Sequence, residues 1–261
     1  MNSTPALTVE GLTKRYGRKE AVSGISFTAR QSELIGFLGP NGAGKSTAFR
    51  MIAGCLAPTS GQIRISGCDL AEQPGFAKAR IGYLPEVPPL YPGMTVREYL
   101  LFAQDLKSAG RGPGDDPAWM ESLVKDLGIG NVMSVLVRNL SKGFRQRVGV
   151  AAAIAGKPEL LLLDEPFSGL DPRQAAELRS LLKRISGHMA IIVSSHGLYD
   201  ISSLCTRIII IDKGRIAADG TPGELAAMKG ELITGTEVRE KMELAANLEN
   251  VFISLTGRGE K

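Results

Sequence analysis

Residues 33–47 read ELIGFLGPNGAGKST, and how this stretch is read decides the fold. ELIGFL is almost continuously apolar, the pattern of a strand buried on both faces of a parallel sheet. GPNGAGKST (39–47) follows at once and fits the spacing G-x-x-x-x-G-K-[ST]. Behind it, GKSTAFRMIAGCLAP carries helical periodicity and stops at glycine and proline. Strand, glycine-rich loop and helix form the setting in which that spacing makes a phosphate cradle, the P-loop.

The chemistry of the stretch follows from its residue types. Gly39, Pro40, Asn41, Gly42, Ala43 and Gly44 form the loop, and the N–H groups of the loop and helix start can point at a β-phosphate. Gly42 and Gly44 permit close approach because they lack a Cβ. Lys45 adds a point charge for β- and γ-oxygens, the Ser46 hydroxyl suits Mg²⁺, and Thr47 completes the motif. A dinucleotide-binding fingerprint fails, because GxGxxG beginning at Gly42 would need a glycine where Thr47 stands.

Outward from the loop, LLLLDEP (160–166) supplies a second element. An apolar strand ending in Asp164 puts a carboxylate at the carboxyl edge of the sheet, where open α/β folds bind ligands. Asp164 is expected to hold Mg²⁺ through a water, and Glu165 to orient or deprotonate the water that attacks a γ-phosphate. His196 ends the strand IIVSSH at the same edge, whereas His188 falls in a turn before that strand and reads as structural.

The organisation fits that site. The first third mixes β patterns with turns (ALTVEGLTKRY, AVSGISFTAR, QIRISG) and predicts an antiparallel patch. From Glu159 onward, short apolar strands alternate with helices, which means a parallel sheet covered on both faces. The middle is helical: Thr95 and Glu98 form a T-x-x-E capping box ahead of an apolar stripe of Tyr99, Phe102 and Leu106. KSAGRGPGDDPA (107–118) reads as an exposed loop, followed by a helix through WMESLVKDLGI. The fold class is therefore α/β, a P-loop core with a mostly parallel sheet, an antiparallel β subdomain and a helical subdomain inserted over about 87–157. The core domain is expected over 1–220 and a C-terminal extension over 221–261.

Composition narrows the function classes. The 261 residues carry a formal net charge of +4 with Lys and Arg scattered rather than clustered, so no nucleic-acid arm is expected. Cys55, Cys68 and Cys205 form no CxxC and no Cys/His group, and read as small buried thiols in a reducing cytosol. No signal peptide is read at the N-terminus. The longest apolar runs, Leu160–Leu163 and Ile208–Ile211, fall far short of the roughly 20 residues that cross a bilayer. Any membrane crossing must come from another chain.

One stretch is unexplained by a single cradle. LSKGFRQR (140–147) places Ser141 and Gly143 at another helix start, a second anion site about a hundred residues beyond the first. Taken in order, the motifs resemble the ATP-binding subunits of ATP-binding cassette (ABC) transporters over essentially the whole chain. LSKGFRQR corresponds to the family's signature segment, FSGLD (167–171) to its D-loop with Asp171 at the aspartate, and YLPEVPPL to its Q-loop. His196 matches the switch histidine, and Tyr16 in TKRYG the aromatic that stacks on adenine.

That resemblance implies ATP and Mg²⁺ as ligands, with Ser46, Asp164 and Glu86 around the metal. It implies a second ATP-binding subunit, homo- or heteromeric, packed head to tail so that Ser141 and Gly143 meet the γ-phosphate held in the other P-loop. It also implies separate transmembrane permease subunits and a peripheral place on the cytoplasmic face of the cell membrane. Val87, Pro88, Pro89, Leu90 and Tyr91 could present apolar docking contacts.

Two departures stand out: Lys142 and Phe144 replace the usual glycine and glutamine of the signature, and Glu86 replaces the Q-loop glutamine. Together with the tail NLENVFISLTG they are similar to the branch serving ABC-2-type exporters. For Lys142, contact with a phosphate or a D-loop carboxylate competes with a solvated lysine; Phe144 is expected against a neighbouring subunit. A non-transport ATPase acting on ribosomes, nucleic acid or cofactor assembly is the alternative, and the single cassette without heptads stands against it.

Overall fold

The computed structural model describes residues 4–108, 117–197 and 201–227. Its strands fall into two sheets. β1 (Leu7–Tyr16), β2 (Lys19–Ala29), β4 (Ser60–Ile65) and β5 (Cys68–Asp69) form the expected antiparallel patch, in the order β2-β1-β4-β5. The six-stranded sheet runs β10-β9-β3-β8-β7-β6, where β3 is Leu34–Leu38, β6 Ile81–Leu84, β7 Leu160–Leu163, β8 Ala190–Ser195, β9 Arg207–Asp212 and β10 Arg215–Gly220. All its pairings are parallel except β10 on β9.

The continuous apolar runs have a simple cause. Successive side chains of a strand point to opposite faces, and here each face meets its own core. Leu160 and Leu162 join Ile35, Phe37, Ile192, Ile209 and Ile211 in one cluster, while Leu161 and Leu163 join Leu34, Leu38, Val193, Ile208 and Ile210 in the other. The first cluster also takes up helix α1 (Lys45–Ile52) and the inner face of the antiparallel patch, fastened by Phe27, Phe37 and Phe49 with ring centroids 5.8 and 5.7 Å apart. The helix that follows the loop is thus clamped between two sheets.

Between β6 and β7 stand α3 (Val96–Ser108), α4 (Pro117–Asp126) and α5 (Lys142–Ile154). The capping box forms: Thr95 N–H donates to Glu98 Oε2 (2.7 Å), and Glu98 N–H donates to Thr95 Oγ1 (3.2 Å). The stripe behind it needs correction. Tyr99 is buried, but Phe102 is only half-buried and Leu106 is exposed. The buried face runs through Val96, Tyr99, Leu100 and Gln104, and beyond it Lys107 Nζ donates to Ile81 O (2.6 Å). The large side chains drew the sequence reading to the flank.

The exposed loop expected over 107–118 starts later and ends earlier, since Lys107 and Ser108 close α3 and Pro117 opens α4; its remainder lies outside the described residues. Strand β6 and helix α2 (Pro74–Ala79) were not foreseen, because four apolar residues before a proline and a short Gly/Ala segment carry little periodicity. Cys205 is buried, and burial pushes its thiol pKa up, whereas Cys55 is exposed and Cys68 half-buried. The chain ends, within the described residues, in α6 (Pro172–Ile185) before β8 and α7 (Pro222–Ala227) after β10, with Leu225 in the core. The tail NLENVFISLTG lies outside the described residues.

Candidate nucleotide site

Parallel pairing decides what meets at the carboxyl edge. Leu38 of β3 stands opposite Ser195 of β8, Leu163 of β7 opposite Val193, and Leu84 of β6 opposite Leu163. The loop after β3, the Asp164–Glu165 pair, His196 and Glu86 therefore emerge side by side. A cavity of about 420 Å³ opens there. Pro40, Asn41, Gly42, Gly44, Lys45, Ser46 and Thr47 line its floor. Tyr16 closes one flank, with Lys19 and Ala21, which the sequence did not single out; Glu86, Glu165, Ser168 and His196 close the other.

Gly39 and Ala43 support the loop from behind. Ala43 is buried, and a Cβ on Gly39 would lie 2.4 Å from Ile211 O. Gly44 has φ 109° and would put a Cβ 2.4 Å from Ala21 O, so only glycine turns the chain into α1 here. Tyr16 is 48% exposed, with the Lys14 ammonium 5.5 Å from its ring centroid.

The charged groups are paired with one another. Lys45, 6% exposed, donates from Nζ to Gly39 O (2.7 Å) and Pro40 O (3.4 Å) and lies 3.5 Å from Glu165 Oε1. The other Glu165 oxygen is 2.9 Å from His196 Nδ1. Glu165 itself adopts φ 49°, a left-handed conformation uncommon outside glycine. Asp164 is buried beneath the cavity and does not line it, which suits contact with a cation through water rather than directly. The Tyr83 phenol close by is held well above its ordinary pKa, by burial first and by the Asp164 charge second.

Ser194 was missed by the sequence reading. Its hydroxyl donates to Asp164 Oδ1 (2.5 Å) and accepts from Glu165 N–H (2.9 Å). The signal available was a pair of serines, Ser194 and Ser195, closing an apolar strand just before His196.

Ser141, Gly143 and Asp171 lie outside this cavity. Ser141 is exposed at the start of α5 and accepts from Phe144 N–H (3.4 Å). Asp171 caps α6, accepting from Gln174 N–H (2.8 Å). The two helix starts are interlocked: a Cβ on Gly143 would stand 2.4 Å from Gln174 Oε1, and one on Gly169 2.2 Å from Lys142 Nζ. Lys142 thus lies across the backbone of the FSGLD loop of its own chain. Phe144 is half-buried against the chain's own core, with the Arg147 guanidinium 5.8 Å from its ring.

A metal is not caged by protein alone, for no group of three or more His, Cys, Asp or Glu is placed to hold one among the described residues. Mg²⁺ needs no such cage, since it keeps waters and takes one or two carboxylates plus substrate phosphates. The Ser46 hydroxyl and Glu86 on the cavity wall, with Asp164 below, are hard oxygen donors that fit it.

Comparison with known proteins agrees with this arrangement. Residues 22–168 match the family model described as ABC transporter. The chain is 35% identical over 237 residues to the uncharacterized ABC transporter ATP-binding protein YxlF of Bacillus subtilis, covering 91% of this chain and 78% of that one. It is 36% identical over 225 residues to the linearmycin resistance ATP-binding protein LnrL of the same organism, covering 86% and 72%. A solved structure of an ATP binding subunit of an ABC transporter superposes with a TM-score of 0.78 at 28% identity, covering 92% of this chain and 99% of that one. The chain belongs to the ABC transporter family and is an ATPase subunit of it.

Proposed function

We propose that the cavity binds ATP with Mg²⁺ and that hydrolysis there drives export of a substrate through separate membrane subunits. The observation that carries the reading is Glu165, held between Lys45 and His196 at the mouth of the phosphate loop. In this reading the loop amides and Lys45 take the β- and γ-phosphates, and Tyr16 stacks on adenine. The metal, when bound, would neutralise charge developing between β- and γ-oxygens. Ser46 and Glu86 would hold it, with Asp164 acting through water.

Lys45 cannot serve phosphate and Glu165 equally. As its charge turns to the phosphates, Glu165 Oε1 becomes free to accept a proton from the attacking water. His196 keeps the other oxygen in place through Nδ1, so a phosphate contact from this residue falls to Nε2. Glu165, His196 and Lys45 are the catalytic residues of the proposal.

The signature segment is read as serving another chain. Ser141 stands exposed at a helix start away from its own cavity, where a phosphate held by a second ATP-binding subunit can reach it. Gly143 and Asp171 shape that surface, and two ATP molecules would be buried in a head-to-tail dimer. We place the ATPase domain over 1–220, with its helical subdomain at about 87–157 and a C-terminal extension over 221–261.

Exporter function is supported by a relative named for export, the Nod factor export ATP-binding protein I of Ralstonia nicotianae, and by the sequence departures already named. No described helix is long and apolar enough to cross a membrane. In this proposal the permease is a separate chain, and a place on the cytoplasmic face follows from that partnership. Val87 and Tyr91, both exposed, are candidates for the contact. The test is affinity purification of the full chain from membranes solubilised in mild detergent. Co-purification of a polytopic membrane protein, together with ATP hydrolysis by the complex, is expected. Co-sedimentation with ribosomes or nucleic acid instead would overturn the transport reading.

A further inference from the structure

Ser194 is fully buried near the end of β8, among Ile191, Ile192 and Val193. A hydroxyl taken out of water is costly unless its hydrogen bonds are replaced. Both replacements here are made to the acidic pair of the site: Asp164 Oδ1 accepts from Ser194 Oγ at 2.5 Å, and Glu165 N–H donates to it at 2.9 Å. One proton and free lone pairs let a single oxygen do both at once, which an alanine cannot do at all. A carbonyl could accept from Glu165 N–H but could not donate to Asp164.

The second bond falls where the backbone most needs support. Glu165 sits at φ 49°, and non-glycine residues stay in such conformations only when their surroundings hold them there. Ser168 N–H donates to Glu165 O (3.1 Å) from the other side of the turn. The turn between the two carboxylates is therefore fastened from both ends, and Ser194 is the end that also fixes the direction of Asp164.

We infer that Ser194 is a positioning residue for hydrolysis: through one hydroxyl it sets the Asp164 carboxylate and the turn that aims Glu165, touching neither nucleotide nor metal. This rests on the roles proposed above for Asp164 and Glu165. A hydroxyl that merely satisfied the core would affect stability alone. A positioning hydroxyl also affects the metal requirement and the turnover number, and leaves ATP capture by the loop unchanged.

The experiment compares Ser194→Ala, Ser194→Thr and Glu165→Gln with wild type in the intact protein. It measures steady-state hydrolysis, calorimetric ATP binding with and without Mg²⁺, and hydrogen exchange at the Glu165 amide. Ser194→Ala should lower kcat by about 10- to 100-fold with KM changed less than about two-fold. The Mg²⁺ concentration that half-saturates ATP binding should rise about three-fold or more, while metal-free ATP binding stays level. The Glu165 amide should lose protection, and Ser194→Thr, which keeps the hydroxyl, should recover most of each effect.

Should Ser194→Ala not fold, Ser194→Cys, similar in size but a weak donor, gives the same readings. Unchanged kcat and metal dependence in the alanine variant, with Glu165→Gln inactive, would overturn the inference and leave the proposed site intact. So would a fall in kcat that threonine does not reverse and that leaves the metal dependence unmoved. Wild-type hydrolysis by Glu165→Gln would instead remove the proposed base, and the inference with it.

Discussion

The Lys45 ammonium lies 3.5 Å from Glu165 Oε1, with both side chains almost wholly buried. Two desolvated ions need good geometry and further hydrogen bonds to offset the hydration they have lost. Lys45 finds these in Gly39 O and Pro40 O, Glu165 in His196 and its own amide bond to Ser194. A polyphosphate presents more negative oxygens to Lys45 than one carboxylate does. In the proposed site, nucleotide and the Glu165 carboxylate therefore compete for Lys45, and nucleotide binding releases the carboxylate.

Glu165→Gln removes the competitor and the base together. Phosphate release should fall by about 100-fold or more. ATP affinity, measured by equilibrium binding, should be at least that of wild type, and an ATP-dependent dimer should accumulate on size exclusion. Weaker ATP binding would count against the competition.

Lys45→Ala leaves Glu165 Oε2 with His196 Nδ1 but removes the cation beside Oε1. Loss of a hydrogen-bonded charge contact in a buried site should lower stability by about 1–3 kcal/mol in urea titrations. ATP binding should be lost as well. Retained affinity would show that the loop amides alone hold the phosphates.

Glu86 lines the same cavity, at the position where the resemblance implies a glutamine. In the proposed site a carboxylate here would repel phosphate without metal and ligate the metal when it is bound. ATP affinity should therefore depend more steeply on Mg²⁺ in wild type than in Glu86→Gln. Identical metal dependence in the two proteins would sink the idea.

Gly143 answers to Gln174 in its own chain before it answers to any ligand. Gly143→Ala should be destabilised by about 1–3 kcal/mol through overpacking, and Gln174→Ala in the same chain should restore most of it. Ser141→Arg touches no such contact. It should leave ATP binding intact while abolishing dimer-dependent hydrolysis, read as the loss of the steep protein-concentration dependence of the rate.

The capping box of α3 gives a pH dependence of known sign. The Thr95 N–H and then the Thr95 hydroxyl hold the Glu98 pKa below its ordinary 4.5. Its contribution is present above about pH 4.5 and is lost as pH falls through the depressed folded value. Wild type should exceed Glu98→Gln in thermal stability near neutrality, and the difference should shrink in acid. A gap that persists at low pH would place the effect elsewhere.

Much was legible before any coordinates. Pattern alone gave the strand–loop–helix at 33–47 and the acidic pair at the end of a buried strand, because both are local: adjacent residues dictate backbone and chemistry together. The α3 cap was legible for the same reason. The Tyr99–Phe102–Leu106 stripe failed because several helix faces carried apolar residues, and only packing against α5 selects one. Strand β6 escaped because its partner, β7, is some eighty residues away.

The sequence by itself determined the phosphate loop, the α/β class and the identity of the two carboxylates, since each is written in contiguous residues. Tertiary structure alone decided which groups answer one another. Parallel register brings Lys45, Glu165 and His196 within reach across three strands, and places Ser194 where one hydroxyl joins Asp164 to the Glu165 amide. It also sets Gln174 against Gly143 and lays Lys142 over Gly169, so that the start of α5 is packed against the FSGLD loop and the start of α6. Distance along the chain hides such pairings, because hydrogen bonds and ion pairs act over a few ångströms and only the closed fold makes those distances short.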